Sequence, residues 1–453
     1  MITYLKNVWE SLTSSLWFVP SIMTFLALCL AFATIALDDA LNGTIGWAYG
    51  GGPEGARDLL AAIAASMITV AGVAFSVMIV ALTLASQQFG PRLLRNFMRD
   101  AGNQIVLGTF IATFTYCLIV LRTIRSAEPE FVPHVSVTLA IVFALASLGV
   151  LIYFIHHAAV SIQAPELIAM VANDVETGIK RLFPEKLGRP AQENEEKLSE
   201  RSLRDFEAHG RAIPAATTGY VQSIANDSLM AVAKQNDLVL LLKCRPGDFI
   251  IDGEELAKVR PEDRVDEEVT GKIQRAFVYG NQRTHLQDLE FSLQQLVEVA
   301  VRALSPGVND PFTAINSIDR IAAALSLLAQ RSFPSPFRHD EKGNLRVIAK
   351  PVQFVEVLNA AFDPIRQYGR SSALVTLRLL EAISRITKRV TRERDLAALF
   401  NQALVIERGS HEGLPEERDR EAVKERFGQM VLTLQEARLA NSKGDPVRPE
   451  MLP

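Results

Sequence analysis

The chain contains 453 residues, of which 49% are hydrophobic and 22% are charged, and its net charge is −4. Because 47 basic side chains are balanced by 51 acidic ones, the chain lacks the positive excess typical of nucleic-acid binding, and we expect no nucleic-acid partner. The three cysteines, Cys29, Cys117 and Cys244, are too scattered for a disulfide framework or a metal cluster.

Four long apolar runs, each without a charged residue, lie in the first third of the chain. They are Leu16 to Leu37, Leu59 to Ala85, Ile105 to Leu121 and Val135 to Ile155. Each run reaches or approaches the roughly 20 residues that a helix needs to cross a hydrocarbon core, and the third, at about 17 residues, is the shortest. Backbone groups in lipid must be paired within the segment, so residues 1–157 are predicted to form a four-helix transmembrane domain.

The short loops between these runs predict the orientation of the chain in the membrane. The loop from Gln87 to Gln104 carries three arginines and one acid, whereas the loop from Asp38 to Asp58 carries four acids and one arginine. Positive loops stay on the cytoplasmic side. Four crossings then place both termini and the remainder of the chain in the cytosol.

The remainder of the chain is typical of a mostly helical cytosolic region. Residues 158–214 are predicted to form a helical extension and a charged linker, with Pro165 either kinking the helix or starting a second one. Short β-branched runs broken by Pro-Gly-Asp and Asp-Gly turns predict a small β-domain at residues 215–261. Helical periodicity predicts a helical domain at residues 262–440, interrupted by a hairpin that turns at Lys342 to Asn344. Its predicted helices are Glu262 to Tyr279, Leu286 to Leu304, Pro311 to Gln330, Val352 to Tyr368, Ala373 to Leu404 with at least one break, and Glu416 to Ala440. A disordered tail is expected at residues 441–453.

Hydroxyl and amide side chains recur along one side of the second run. Thr69, Ser76, Thr83 and Gln87 fall within an arc of roughly 40° on a helix of about 100° per residue. Such groups can line a pore, but small and hydroxyl residues also allow membrane helices to pack closely, and the sequence leaves both interpretations open. In the third run, Thr109, Thr113 and Tyr116 form a shorter stripe, which we interpret as a surface that packs against the second helix.

Histidines and acids outside these stripes favour structural roles. His156 and His157 are neighbours on a helix and point about 100° apart, so they favour anchoring at the membrane interface over joint metal binding. His285, Asp288 and Glu290 suggest metal ligands, but Asp288 and Glu290 would face differently on a helix. We therefore expect no metal site and no cofactor.

The stretch from Ser305 to Pro311 is interpreted as a turn between two helices. Asn309 or Asp310 would cap the second helix, Pro311 would take its first position, and Gly307 would supply the unusual backbone angle.

The chain contains no Gly-x-Ser-x-Gly elbow, Walker loop or zincin pattern. Catalytic residues are therefore not expected.

Several long motifs occur in an order that resembles a known family. They are TVAGVAFSVMIVALTLASQQFGPRLLRNF, YFIHHAAVSIQ, GYVQSI with RPGDFIIDG, and QDLEFSLQQLVEVAVRALSPGVNDPFTA. Over nearly its whole length the chain is similar to bacterial predicted membrane proteins of the domain of unknown function 2254 family. The resemblance implies a membrane domain joined to a cytosolic region, in the inner membrane of a bacterium with both termini in the cytoplasm, and it transfers no catalytic residue.

The sequence predicts two kinds of function. No ionisable side chain lies inside the four runs, which argues against a coupled carrier, because such carriers place ionisable groups at membrane depth. The first predicted function is therefore a homo-oligomeric passive channel for inorganic ions. In this channel the second helix lines the pore, and the cytosolic region assembles or gates it. The alternative is a scaffold or regulatory module that does not conduct, whose four helices only anchor a cytosolic interaction domain in the lipid bilayer.

Overall fold

The computed structural model describes residues 13, 15–41, 48–90, 98, 100–127, 130–161, 163–183, 206 and 209–442. Two compact units divide the chain, Met1–Leu167 and Ile168–Pro453. Most of the predicted charged linker lies outside the described residues. So does the predicted tail, apart from Asn441 and Ser442, which end the last helix.

The first unit is built from four long apolar helices, which contain the four predicted runs except for Leu16 and Trp17, which precede the first helix. Their bounds are α1 Phe18–Leu41, α2 Pro53–Phe89, α3 Ala101–Thr123 and α4 His134–Ser161. Glycine and proline mark the start of α2, with Gly52 at its N-cap and Pro53 in its first turn. Helix α2 has 37 residues, about 55 Å at 1.5 Å per residue, and is therefore longer than a bilayer core is thick.

Helix α3 lies at the centre of this unit and packs against α1, α2 and α4. Its fully buried side chains include Val106, Phe110, Tyr116, Cys117 and Val120. The shortest predicted run is thus the most enclosed of the four helices. Because α3 is surrounded by other helices, it can carry Asn103, Gln104 and Thr113 as buried polar residues.

Hydrogen bonds from Asp38 hold the start of α4. The Asp38 carboxylate accepts from the backbone amides of Val135 and Ser136 at 2.8 and 2.9 Å, and from the Ser136 hydroxyl at 2.7 Å. The first amides of a helix have no partner within the helix. An acid at the end of α1 therefore caps α4 across about a hundred residues of sequence.

The chain breaks between α4 and the next helix. Helix α4 ends at Ser161, and α5 runs over Ala164–Leu182 with Pro165 in its first turn. Of the two alternatives for Pro165, the structure shows the start of a second helix. The buried side chains Val171, Val175 and Ile179 recur every four residues along it.

The second unit contains two small β-sheets that share one core. One sheet has the strand order β1-β5-β3-β8-β7, and the other β4-β2-β6. Strands β3 and β8 are parallel, and all other pairs are antiparallel. The strands are β1 Arg211–Pro214, β2 Gly219–Ile224, β3 Val239–Leu242, β4 Phe249–Ile250, β5 Glu255–Arg260, β6 Phe277–Gly280, β7 Phe337–His339 and β8 Leu345–Ile348. Core residues include Val221, Leu240, Leu256 and Val347 from four different strands.

The β-region is wider than the sequence predicted, and it also contains helices. Strand β1 lies in the predicted linker, and helix α6 (Asn226–Gln235) lies inside the predicted β-stretch. The predicted helix from Glu262 to Tyr279 is wrong in its second half. Only Glu267–Gln274 forms a helix there, α7, and β6 follows because it pairs with β2 along the buried core. Pairing partners distant in sequence outweigh local helical periodicity here.

Six further helices follow the β-region. They are α8 Leu289–Ala303, α9 Pro311–Ala329, α10 Phe354–Gly369, α11 Ala373–Thr387, α12 Glu393–Gly413 and α13 Glu417–Ser442. These bounds agree with the predicted helices to within a few residues, except that α12 continues to Gly413, nine residues beyond the predicted end at Leu404. The predicted hairpin between α9 and α10 is also confirmed, with β7 and β8 joined through Gly343 at φ +82°.

Within the described residues, five helices are long and apolar enough to cross a membrane, namely α1 to α4 and, unexpectedly, α9. Helix α9 belongs to the second unit, where it packs against α8 and α11. Length and composition alone therefore give one more candidate span than the four apolar runs predict.

Candidate functional site

Helix α2 has one buried face and one open face. The buried face carries small side chains, Ala71, Ala74, Ala81 and Ala85, together with Met78. These residues follow helical spacing and let α2 lie close to α3, with which it makes most of its contacts. The rest of the α2 circumference is open, with Ile68, Val77 and Leu84 among its exposed side chains.

The predicted stripe lies on the side opposite the buried face. Thr69, Ser76, Thr83 and Gln87 are all exposed. The three hydroxyls donate to backbone carbonyls one turn earlier, to Ala65, Gly72 and Ile79, at 2.8, 2.9 and 2.8 Å. Among the described residues, these three hydroxyls therefore form no hydrogen bond to another helix. Their side of α2 faces lipid, water or another copy of the protein.

Two valines, which the sequence analysis did not single out, complete this face. Val73 and Val80 are 59% and 58% exposed and alternate with the polar residues along the helix. The series 69, 73, 76, 80, 83 and 87 has alternating steps of four and three, the spacing of a helix–helix seam. A Cβ added at Gly72 would meet no described heavy atom within 4 Å, so the face is open at mid-helix.

The stripe on α3 has a different environment from the one predicted. Thr113 lies 3.3 Å from the Ser147 hydroxyl of α4. The Tyr116 hydroxyl lies 2.9 Å from Thr34 of α1 and donates to the Ser136 carbonyl at 3.2 Å. The hydrogen bonds of both buried members thus go to α1 and α4 and not to α2, although Tyr116 shares a buried cluster with Leu60 and Ala64 of α2. Thr109 bonds only to a carbonyl one turn back, that of Ile105.

The two histidines at the end of α4 differ in environment. His156 is exposed, whereas the His157 Nε2 lies 2.5 Å from the carboxylate of Asp100, which also caps α3. Tyr153 stacks on the His157 ring. His157 therefore links the start of α3 to the end of α4. Residues Pro91 to Phe97, which include Arg92 and Arg95 of the arginine-bearing loop after α2, lie outside the described residues.

The acids suspected as metal ligands in the second unit are engaged in other contacts. Asp288 caps α8 and forms two hydrogen bonds with Arg283, at 2.6 and 2.9 Å. Glu290 pairs with Arg245 at 2.7 Å, and His285 Nδ1 lies 2.9 Å from the Ser292 hydroxyl. Within the described residues, no group of three His, Cys, Asp or Glu side chains is placed to hold a metal ion.

Arg245 belongs to the motif RPGDFIIDG and connects it with the motif that begins QDLEF. The spacing of residues along the sequence did not reveal this connection. The Arg245 guanidinium binds Glu290 on α8 and Glu356 on α10, each at 2.7 Å. Burial raises the pKa of Glu290, although the nearby Arg245 charge acts in the opposite direction. Gly247, at φ +99°, brings the same loop so close to Asp288 that a Cβ there would lie 2.3 Å from a carboxylate oxygen.

The turn before α9 caps that helix as predicted, but the residue with a positive φ angle is not the one that was predicted. Asp310 accepts from the amides of Phe312 and Thr313, both at 3.1 Å, and Pro311 opens the helix. The hydrogen bond from the Thr313 hydroxyl helps to lower the pKa of Asp310. The positive φ, +49°, occurs at Asn309 instead of Gly307. Asparagine tolerates this conformation better than most residues with a side chain.

The fold and the exposed apolar helices define a multi-pass helical membrane protein. The chain belongs to the family described as Predicted membrane protein (DUF2254), which matches residues 13–385, and this confirms the resemblance seen in its motifs. It is 30% identical over 437 residues to Uncharacterized protein Rv1290c of Mycobacterium tuberculosis and to Uncharacterized protein Mb1321c of Mycobacterium bovis. Each match covers 93% of this chain and 81% of the relative. No solved structure matches the chain.

Proposed function

We propose that the protein is a homo-oligomeric passive channel for inorganic ions, in which α2 lines the pore. The observation that carries this proposal is the open polar stripe on α2, opposite its buried face. From Thr69 to Gln87 the stripe extends over 18 residues, or about 27 Å, close to the thickness of a hydrocarbon core. It is long enough to provide polar groups across most of the membrane.

The proposed channel crosses the membrane four times, with both termini in the bacterial cytoplasm. Helices α1 to α4 are the spans. The fifth candidate, α9, carries Asp319, which pairs with Arg378 at 2.5 Å and lies 3.5 Å from Arg385, both on α11. Such charge pairs suit a water-exposed bundle better than lipid. The arginine-rich loop after α2 favours the cytoplasmic side of the inner membrane.

The chemistry of the stripe favours cations. Each hydroxyl of Thr69, Ser76 and Thr83 gives its proton to the backbone of its own helix. The lone pairs on its oxygen then face away from the helix and can replace water around a cation, as carbonyl oxygens do in selective pores. Val73 and Val80 would form apolar rings between the polar ones, and such constrictions gate channels by losing water.

Conduction through this face requires several copies of the chain. A single stripe cannot enclose a pore, and closed symmetry would place the same face of each subunit around a common axis. The three-four spacing of small and β-branched residues on α2 is suited to contact between copies of the helix. We propose that the second unit assembles or gates these copies, without a catalytic role.

The test is ion flux through the purified full-length chain in liposomes. Thr83→Leu and Ser76→Leu should lower the unitary cation conductance while leaving the oligomer intact. Ser21→Leu, the same kind of change at an exposed serine of α1, is the matched control and should leave conductance unchanged. Bilayers that stay silent under all tested voltages and tensions would contradict the channel and favour the non-conducting scaffold.

Assembly has a separate test. In a Cys29→Ser background, Ser76→Cys should form disulfide-linked dimers in native membranes, because the position faces another copy. Thr113→Cys, buried between α3 and α4, should not. Equal cross-linking of the two variants, or a monomeric particle, would overturn the proposed arrangement.

A further inference from the structure

A largely apolar cavity of about 460 Å³ lies in the β-region of the second unit. Its wall includes Leu229 and Met230 of α6, Leu242 of β3, Val347 of β8, Cys244 and Phe183. Leu229, Leu242 and Val347 also belong to the buried core of the β-region. This volume is within the range of roughly 300–1,000 Å³ found for pockets that hold small organic molecules.

The charged groups at this cavity are mainly basic. Arg338 of β7 and Lys350, just after β8, line it together with Arg245. Arg245 already binds two carboxylates, and Lys350 lies 3.5 Å from Asp248. The one acid in the lining is Asp227, an exposed residue in the first turn of α6.

Arg338 differs from the other two basic residues because it has no carboxylate partner within the described part of the chain. Its only hydrogen bond there is from Nη1 to the Ser335 carbonyl. Burial lowers the pKa of its guanidinium, with no acid nearby to oppose the effect. A partly buried cation beside an apolar cavity lacks the anion that would compensate its lost hydration.

We propose that this cavity binds a carboxylic acid with an apolar body, whose carboxylate pairs with Arg338. Arginine presents two parallel N–H donors that match a carboxylate in a bidentate pair. The apolar body would fill the space between α6 and the β3 and β8 strands. A phosphate dianion fits less well, since Lys350 is already near Asp248 and Asp227 lies at the same cavity.

Binding at this site is non-covalent. Cys244 is the only cysteine in the lining, and burial raises the pKa of its thiol to about 12. The thiolate is the nucleophilic form of cysteine, so a thiol of this pKa is unreactive near neutral pH. Cys244 therefore contributes apolar wall surface to the cavity.

The experiment is equilibrium dialysis of radiolabelled octanoate against the full-length chain in lipid nanodiscs at pH 7, with empty nanodiscs as the blank. We expect saturable binding of one octanoate per chain. Octanamide, the neutral analogue, should bind at least about tenfold more weakly, because a hydrogen bond between charged groups is lost. Octyl phosphate as competitor distinguishes a carboxylate site from a general anion site.

Two variants and a control locate the site. Arg338→Gln should weaken octanoate binding by about tenfold or more, and Met230→Trp should abolish it by filling the cavity while Arg338 stays in place. Arg385→Gln, a change at an exposed arginine on α11, should have no effect. Thermal unfolding checks that each variant is folded.

The proposal is overturned if octanoate does not exceed the blank, if octanamide binds equally well, or if octyl phosphate displaces octanoate at lower concentration than octanoate itself does. It is also overturned if both cavity variants bind like Arg385→Gln. None of these results depends on ion conduction, so the cavity and the channel can fail separately.

Discussion

Helices α2 and α3 lie side by side and carry similar hydroxyl stripes, but the structure uses them in opposite ways. On α3, Thr113 and Tyr116 are buried and bond to α1 and α4. On α2, Thr69, Ser76 and Thr83 are exposed and bond only to their own helix. The residue types and spacings are alike, and the surrounding helices make the difference.

This contrast distinguishes polar groups that hold the helices of the first unit together from polar groups that remain available to lipid, water or another molecule. A hydroxyl that bonds back to its own carbonyl is satisfied in lipid and contributes little to tertiary stability. A hydroxyl bonded across helices fixes their relative position. Substitutions on the two helices should therefore affect stability very differently.

The largest expected effect is at Tyr116. Tyr116→Ala removes two interhelical hydrogen bonds and the edge-on contact with Phe143, whose ring centroid is 5.2 Å away. We expect the free energy of unfolding to fall by about 3 kcal/mol, as for other large buried side chains. Denaturant unfolding in mixed micelles, followed by circular dichroism, measures it.

The matched change on the other helix is Thr69→Ala, which removes only a bond within the helix. Its free energy of unfolding should stay within about 0.5 kcal/mol of the wild type. A loss at Thr69 comparable to that at Tyr116 would contradict the contrast between the two helices.

A smaller effect is expected at the end of α1. Asp38→Ala leaves the first amides of α4 without their cap, which should cost about 1–2 kcal/mol. Its neighbour Asp39 is exposed, so Asp39→Ala serves as the control and should be nearly neutral. The same unfolding assay compares them, and equal stabilities of the two variants would show that the cap contributes nothing.

The smallest effect is the coupling between Thr113 and Ser147. A double-mutant cycle of Thr113→Val and Ser147→Ala should give an interaction energy of about 0.6 kcal/mol, the average for hydrogen bonds between membrane helices. A cycle pairing Thr83→Val with Ser147→Ala should give none, because Thr83 bonds only within α2. If the two cycles give the same interaction energy, the hydrogen bond between α3 and α4 does not stabilise the first unit.

Elements that depend on local chemistry were predictable. The four apolar runs became helices because an unbroken apolar segment has no other stable form in lipid. The hairpin at Gly343 and the Asp310 cap followed from residues that favour turns and helix starts. The polar stripe on α2 was also found from spacing alone, and its role as a pore lining remains a prediction.

Apart from the positive φ angle, which lies at Asn309 and not at Gly307, the differences from prediction concern partners that are distant in the chain. Strand β6 forms because β2 and the core of the β-region are present, and a window of local sequence contains neither. The two buried residues of the α3 stripe bond to α1 and α4 instead of α2, since helix positions in a bundle are not encoded in one helix. Arg245 could not be linked to Glu290 and Glu356 from sequence spacing.

The sequence by itself determined that this chain enters a membrane, which four segments form its long apolar helices, and that the apolar cores of these helices lack charge. Those properties depend on the transfer of side chains into lipid and on backbone pairing within one segment. Only the tertiary structure decided which polar face is enclosed, which is left open, and that Arg338 meets an apolar cavity with no carboxylate partner among the described residues. Burial is a property of the neighbours that surround a residue, and the packing of distant segments chooses those neighbours.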